Sequence, residues 1–313
     1  MSADRRHLLK AIVTRLLSSL AVMWAAVTIV FALSRLSGDP VAQLLPEDAT
    51  PEQTAQLRET LGLDRSLPVQ YLDYLSGLLT LDLGTSLQYN EPVSTLIFER
   101  IPATVLLAFA ALLITVVVAF FAGTISAMRR GTAVDRTVMG AVLVGQSTPA
   151  FWVGILLILL FGVQLSVLPA AGYGTFAHLI LPATTLAIFS VAVVARLLRS
   201  SLVEVLGQDH VRTARAKGAS ENRVLLGHSL RNASMPVITV LGLELGSLLG
   251  GAILTEQIFN WPGIGRLTID AIGFRDFPLV QGTVVLFAAT FVLVNLLVDL
   301  SYAIIDPRVR SEV

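Results

Sequence analysis

Between Asp209 and Pro236 the chain reads DHVRTARAKGASENRVLLGHSLRNASMP, a polar and basic interval set between two long apolar runs. Good helix formers follow an acidic start from Asp209 to Lys217, Gly218 interrupts them, and Ser220-Glu221-Asn222 begins a second helix running toward Asn232. Helix, glycine turn and helix make a compact handle. Ala214 and Ala216 keep its first helix slim, while Arg212, Arg215 and Lys217 give it charge suited to an acidic cleft. The same basic residues also serve as a topology signal or as a contact with anionic lipid heads, and charge alone does not separate these roles.

Outward from this interval the chain is overwhelmingly apolar: 54% hydrophobic, 14% charged, with a mean hydropathy of +0.76. That composition belongs to an integral membrane protein. A span needs about 20 apolar residues to cross about 30 Å of hydrocarbon. Six stretches qualify: Leu16–Leu33, Thr104–Ala127, Val138–Val163, His178–Ala195, Pro236–Ile253 and Leu279–Ile304. They are continuous rather than alternating, which favours an all-α bundle and excludes a barrel of short strands.

Lys and Arg set the expected orientation, since their excess in short loops marks the cytoplasmic side. Arg5, Arg6, Lys10 and Arg15 precede the first span, Arg129, Arg130 and Arg136 follow the second, and Arg196 and Arg199 join the basic interval after the fourth. Acids crowd the first outer loop instead, from Asp39 to Glu99. The formal net charge of zero therefore hides a polarised molecule, with both termini expected in the cytoplasm and no nucleic-acid partner. Arg5 and Arg6 before an apolar run, with Ala32-Leu33-Ser34 after it, loosely fit a secretory signal, but the run is longer than a signal core. The absence of cysteine excludes disulfides and thiolate metal sites.

Three regions follow. Residues 1–36 form the cytoplasmic N-terminus and first span, 37–100 an outer loop subdomain, and 101–313 a five-helix core carrying the cytoplasmic loop 196–235. In the outer loop, Thr50-Pro51-Glu52 offers an N-cap with proline at the first helical position, and Gly62 ends that helix. Leu67 to Leu79 reads as a second, amphipathic helix. The subdomain is either a lid packed on the bundle or a docking or gating surface at the outer mouth.

The spans carry features that a simple anchor does not need. Gly145-Gln146-Ser147-Thr148-Pro149 interrupts the third, where Pro149 removes a helical hydrogen bond and crowds the preceding turn. Irregular backbone at that depth is tolerated only against protein or a water-filled cavity, which makes Gln146 and Pro149 candidates for a translocation path. Gly242, Gly246 and Gly250 recur every fourth residue in the fifth span, a bare stripe for close helix packing. Glu244 lies about 200° around from Gly242 and roughly 14 Å beyond Met235, near mid-membrane. An acid there costs at least about 2.5 kcal/mol against lipid, so it faces a wet path or hydrogen-bonds a neighbouring helix. Asn295 and Asp299 share a face of the sixth span; Asn295 joins the path candidates, and Asp299 falls near the interface.

At the basic interval the sequence resembles the inner-membrane permease subunits of ATP-binding-cassette importers, specifically the B type of dipeptide, oligopeptide and nickel systems. Those permeases carry Glu-Ala-Ala, three residues and Gly in this loop; here Arg212-Thr213-Ala214 stands in the first place and Gly218 keeps the last. Gly38-Asp39-Pro40, LGLDRSLPVQYLDYL, LDLGTSL, STPAFWVG, TEQIFNWPGIGRL and Asp306-Pro307-Arg308 follow the family's order along nearly the whole chain. The resemblance implies a type I importer permease fold in the bacterial inner membrane. It assigns Asp209, Arg212, Thr213, Ala214, Arg215, Lys217 and Gly218 to ATPase coupling, without any role of the missing glutamate. It also implies a C-type companion permease, one or two ATPase subunits that bind ATP and Mg, an extracytoplasmic binding protein, and alternating access for a peptide, or for glutathione or a nickel chelate.

No GxxxxGK[ST] occurs in the sequence, so ATP hydrolysis is expected from a partner and no cofactor from this chain. An ion-coupled secondary transporter would carry paired intramembrane charges and internal repeats, and neither is legible. An enzyme would cluster nucleophiles, acids or metal ligands; His7, His178, His210 and His228 are scattered, and neither a catalytic residue nor a metal site is expected.

Overall fold

A computed structural model describes residues 3–36, 41, 45, 49–60 and 62–305. Gly38-Asp39-Pro40 and Asp306-Pro307-Arg308 lie outside the described residues, as does the side chain of Asp299. Among the described residues the chain is helical, with one isolated antiparallel bridge between Thr85 and Pro92. In chain order the helices are α1 (Ala3–Leu36), α2 (Pro51–Thr60), α3 (Leu67–Thr80), α4 (Val93–Met128), α5 (Ala133–Ser147) and α6 (Ala150–Leu157). They continue as α7 (Phe176–Leu206), α8 (Asp209–Ala216), α9 (Glu221–Arg223), α10 (Leu230–Ile258), α11 (Ile264–Gly273) and α12 (Phe277–Ile305). Wide π turns follow α6 at Ile158–Gln164 and join α9 to α10 at Val224–Ser229.

Among the described residues, five helices contain stretches long and apolar enough to cross a membrane: Leu17–Leu36, Val93–Met128, Phe176–Leu206, Leu230–Gly250 and Phe277–Leu296. The expected third span is not one rod. It is two arms, Ala133–Ser147 and Ala150–Gln164, bent 104° from one another. Each arm rises roughly 22 Å at 1.5 Å per residue, too little to cross about 30 Å of hydrocarbon alone. Proline by itself does not explain the break, because Pro102, Pro182 and Pro236 all sit inside continuous helices. Pro149 follows Gly145-Gln146-Ser147-Thr148, a weak run of helix formers, and Thr148 takes the extended conformation (φ −92°, ψ 130°) that a following proline favours.

The chain divides into two compact units. One comprises Met1–Pro102, Pro262–Leu293 and Pro307–Val313; the other comprises Ala103–Trp261 and Val294–Asp306. In the first, Val93, Leu96 and Ile97 of α4 pack with Leu267 and Ala271 of α11 and Leu279 of α12. The α12 backbone comes close because Gly282 has no side chain: a Cβ there would lie 2.5 Å from Val93 Cγ1. Asp276, fully buried, caps α12 by accepting from the Leu279 amide and ties in the loop before α4 by accepting from Ser86 Oγ and the Gln88 amide. The α2 N-terminus is a reciprocal cap: Thr50 Oγ1 accepts from the Gln53 amide, and Gln53 Oε1 accepts from the Thr50 amide.

In the second unit α7 is the central post. Half of its apolar window is buried, against 22% for α10. Val194, Ala195, Leu198 and Leu202 anchor one cluster with Ala119 and Ala127 of α4. Ala183, Leu186 and Ala187 anchor another with Leu107, Ala111, Leu248 and Trp261. Gly123 lets α4 touch α7, since a Cβ there would lie 2.9 Å from the Ala195 carbonyl oxygen.

Candidate functional site

The basic interval folds as an exposed lever with a buried root. Val211 of α8, Val224 and Leu225 are buried with Leu198, Leu202 and Val205 of α7 and Ala233 and Val237 of α10, while Ala214 packs at the edge. Asp209, Arg212, Thr213, Arg215, Lys217 and Gly218 stay exposed. Arg212 pairs with Asp209 at 3.3 Å, and Thr213 Oγ1 donates to the Asp209 carbonyl. Gly218 turns the chain at φ +82°, a region that penalises any Cβ, and no atom lies within 4 Å of where one would be. Across that turn Arg215 grips Glu221 with two hydrogen bonds, Nε to Oε1 at 2.8 Å and a terminal nitrogen to Oε2 at 3.1 Å. Those bonds hold the Glu221 carboxyl below its usual range and raise Arg215. The second helix does not stop short of the fifth span, as its sequence implies. It runs through the π turn into α10, with Pro236 inside that helix, so the second half of the lever and the membrane segment are one rod.

Behind the lever lies an ion pair that the charge pattern does not distinguish from its neighbours. Arg199 of α7 donates twice to Asp135 of α5, at 2.8 and 2.7 Å, and Ser126 Oγ and the Gly131 amide donate to the same carboxylate. Arg199 reads in the sequence as one more positive charge among several. In the fold it locks the α4–α5 turn to the central post.

At the Pro149 break, Gly145, Gln146, Ser147, Thr148, Pro149 and Ala150 line a cavity of about 340 Å³ against Ile188 and Phe189 of α7. Gly145 permits the approach: a Cβ there would lie 3.2 Å from Ile188 Cγ2. The next residue of α7, Ser190, is buried and donates its hydroxyl hydrogen to Glu244 Oε2. Glu244 itself is half-buried on α10. Of the glycine stripe, Gly246 meets α12, where a Cβ would lie 2.7 Å from Val294 Cγ1, whereas Gly250 faces open space. Gly242 is half-buried, and so is Asn295, the residue after Val294. Gln146 and Pro149 thus share the cavity, Glu244 bonds to the residue beside its α7 wall, and Asn295 adjoins the α10–α12 contact.

A second acid on α10 escaped the sequence reading. Glu256 is fully buried and accepts from Thr104 Oγ1 of α4 at 2.6 Å. Its carbonyl accepts from the Trp261 amide, and the Trp261 indole donates to the Ala103 carbonyl at 2.9 Å. Edge-on contact with Tyr173 completes the plug. Among the described residues no group of three or more His, Asp or Glu is placed to hold a metal ion.

Two family descriptions match the chain: the inner membrane component of binding-protein-dependent transport systems over residues 119–311, and the N-terminal region of such membrane components over residues 8–108. The dipeptide transport system permease protein DppB of Escherichia coli K12 is 42% identical, covering 88% of this chain and 91% of its own. The glutathione transport system permease protein GsiC of Salmonella choleraesuis is 41% identical, covering 97% and 99% respectively. Among solved structures, an inward-facing MetNI methionine ABC transporter chain superposes with a TM-score of 0.56 at 18% identity, over 67% of this chain and 96% of that one. Its fold is therefore shared.

Proposed function

The chain belongs to the family of inner-membrane components of binding-protein-dependent transport systems, and from that membership we propose that it is the permease subunit of an ATP-driven peptide importer. One observation carries this reading: near end-to-end likeness, above 40% identity, to permeases named for dipeptide and glutathione transport. In the proposed mechanism a C-type permease pairs with this chain, ATPase subunits bind ATP and Mg and seat on α8, and an extracytoplasmic binding protein delivers the peptide. Counting the bent α5–α6 pair as one crossing gives six spans, which supports termini on one side of the membrane, the cytoplasmic side by the excess of Lys and Arg in its loops.

Closure of the ATPases would push α8, and two physical features favour rigid transmission. Val211 and Val224 root the lever in the core, and the exposed Arg215–Glu221 fork restrains the Gly218 turn. The moving rod, α10, carries Glu244 beside the α7 wall of the break cavity, where a carboxylate suits a peptide's ammonium group.

Affinity purification of the tagged chain from native membranes in mild detergent tests this proposal. A second permease, ATPase subunits, vanadate-sensitive hydrolysis and peptide uptake after reconstitution with the binding protein are expected. A chain that elutes without an ATPase even under gentle extraction, and moves substrate on an ion gradient, overturns it. Gly218→Val tests the lever itself: hydrolysis should lose its coupling to uptake, or the ATPases should detach.

A further inference from the structure

Helix α3 falls in the loop that its sequence assigns to a folded subdomain outside the membrane, but its contacts are at membrane depth. Tyr71 Oη lies 2.6 Å from Thr28 Oγ1, and Phe31 packs edge-on against Tyr71 and stacked against Tyr74, with ring centroids 5.2 and 5.7 Å apart. Thr28 and Phe31 belong to the Leu17–Leu36 span. At 1.5 Å per residue they lie roughly 12 Å and 7.5 Å short of its Leu36 end. A helix held at both points lies alongside the hydrocarbon, not above it. The Tyr74 hydroxyl is buried without a hydrogen-bond partner, and the Arg35 guanidinium lies over the Phe31 ring at 5.2 Å.

The remaining faces of α3 sort by polarity. At 100° per residue, Pro68, Leu72, Leu75 and Leu79 form a flank beside the tyrosine face, and Asp73, Ser76 and Thr80, with Val69 as the one apolar residue among them, form a second set largely opposite the tyrosines. On the first flank Leu72 is 64% and Leu79 88% exposed. On the second, Asp73 pairs with exposed Arg65 at 2.9 Å. On α1 itself Ile29, Leu33 and Leu36, turned away from α3, are likewise exposed, as a lipid-facing side would be. Interfacial helices bury their apolar face about 5–10 Å below the headgroups, the depth at which Phe31 holds α3.

We infer that α3 is an interfacial helix lying in the leaflet beside α1, with Leu72 and Leu79 immersed in lipid acyl chains and Asp73, Ser76 and Thr80 toward water. The inference rests on α1 crossing the membrane and on nothing about the cargo. It makes the loop subdomain a collar fixed at the bilayer surface, its height set by lipid.

The chain has no cysteine, so single sites can be spin-labelled: Leu72→Cys and Leu79→Cys on one flank, Ser76→Cys and Thr80→Cys on the other. The complex, with its native partners, is reconstituted in nanodiscs. Collisions with oxygen, which partitions into lipid, are compared with those of a water-soluble nickel chelate, after subtraction of the unsubstituted complex. Leu20→Cys, on the exposed face of α1, provides the lipid reference, and Glu52→Cys on α2 the aqueous one. Expected is a several-fold excess of oxygen over nickel collisions at positions 72 and 79, matching position 20, and the reverse at 76 and 80. Nickel access at 72 and 79 overturns the inference by placing α3 in water. Protection of both positions from both agents also overturns it, by assigning the flank to a protein neighbour.

Discussion

Glu244 and Glu256 stand on one helix, about 18 Å apart along its axis and about 120° apart around it, and each takes a hydroxyl hydrogen from a neighbouring helix. Glu256 is fully sealed, fixed by Thr104 and flanked by the Trp261 plug, whereas Glu244 is half-buried beside a cavity wall. The same residue type with the same kind of partner thus occupies two different surroundings. Burial without access makes an acid a fastener; partial access beside a cavity is what the proposed path role of Glu244 requires.

Three substitutions and one titration, taken from the most enclosed acid to the most exposed, would break or sharpen that contrast. Glu256→Ala leaves a cavity in the sealed interior and removes the acceptor of the Thr104 hydroxyl, a loss of about 3 kcal/mol. It should sharply lower the melting temperature of the complex in detergent; a variant that melts like the parent would dissolve the distinction. Asp135→Ala strands the Arg199 guanidinium, and because that side chain is 29% exposed the expected loss is nearer about 2 kcal/mol. The same melting assay reads it. Glu244→Gln should shift the melting point little, within about 0.5 kcal/mol, since the amide oxygen still accepts from Ser190. Its effect belongs in uptake, which should fall several-fold; a stability loss with normal uptake per folded complex would make Glu244 a second fastener.

The smallest effect concerns Glu221. Its carboxyl is held low by Arg215, so the stabilisation is present above the usual carboxylate range and is lost only as pH falls through that lowered value. Arg215, raised above an already high value, contributes nothing that changes at ordinary pH. Hydrogen-exchange protection around Gly218, corrected for intrinsic rates, should be flat from neutral pH into the mildly acidic range and drop below it. A drop near pH 6 would place the titrating group elsewhere.

Much of this was legible in the sequence because membrane burial obeys simple length and charge rules. Five apolar runs lie within continuous helices, and depth alone drew notice to Glu244. What the sequence hid depends on distant residues. Glu256 and Gln257 look like loop beyond Ile253, and only Thr104, 152 positions away, makes the first of them an interior residue. Pro149 reads as an interruption, but prolines 102, 182 and 236 show that the residue alone does not predict a 104° bend. The α3 helix was expected from its pattern. Its height was not, because that depends on where Thr28 and Phe31 sit.

The π turn at Val224–Ser229 has one further consequence. A π turn accommodates one residue more than an α turn, so every side chain beyond it is indexed about 100° from where an uninterrupted α-helix would carry it. The turn therefore acts as a phase setting between the lever and the membrane half of the rod: it fixes which way Glu244 points for a given seating of α8. Deleting Gly227 would leave both ends chemically intact and dial the acid to a different compass bearing.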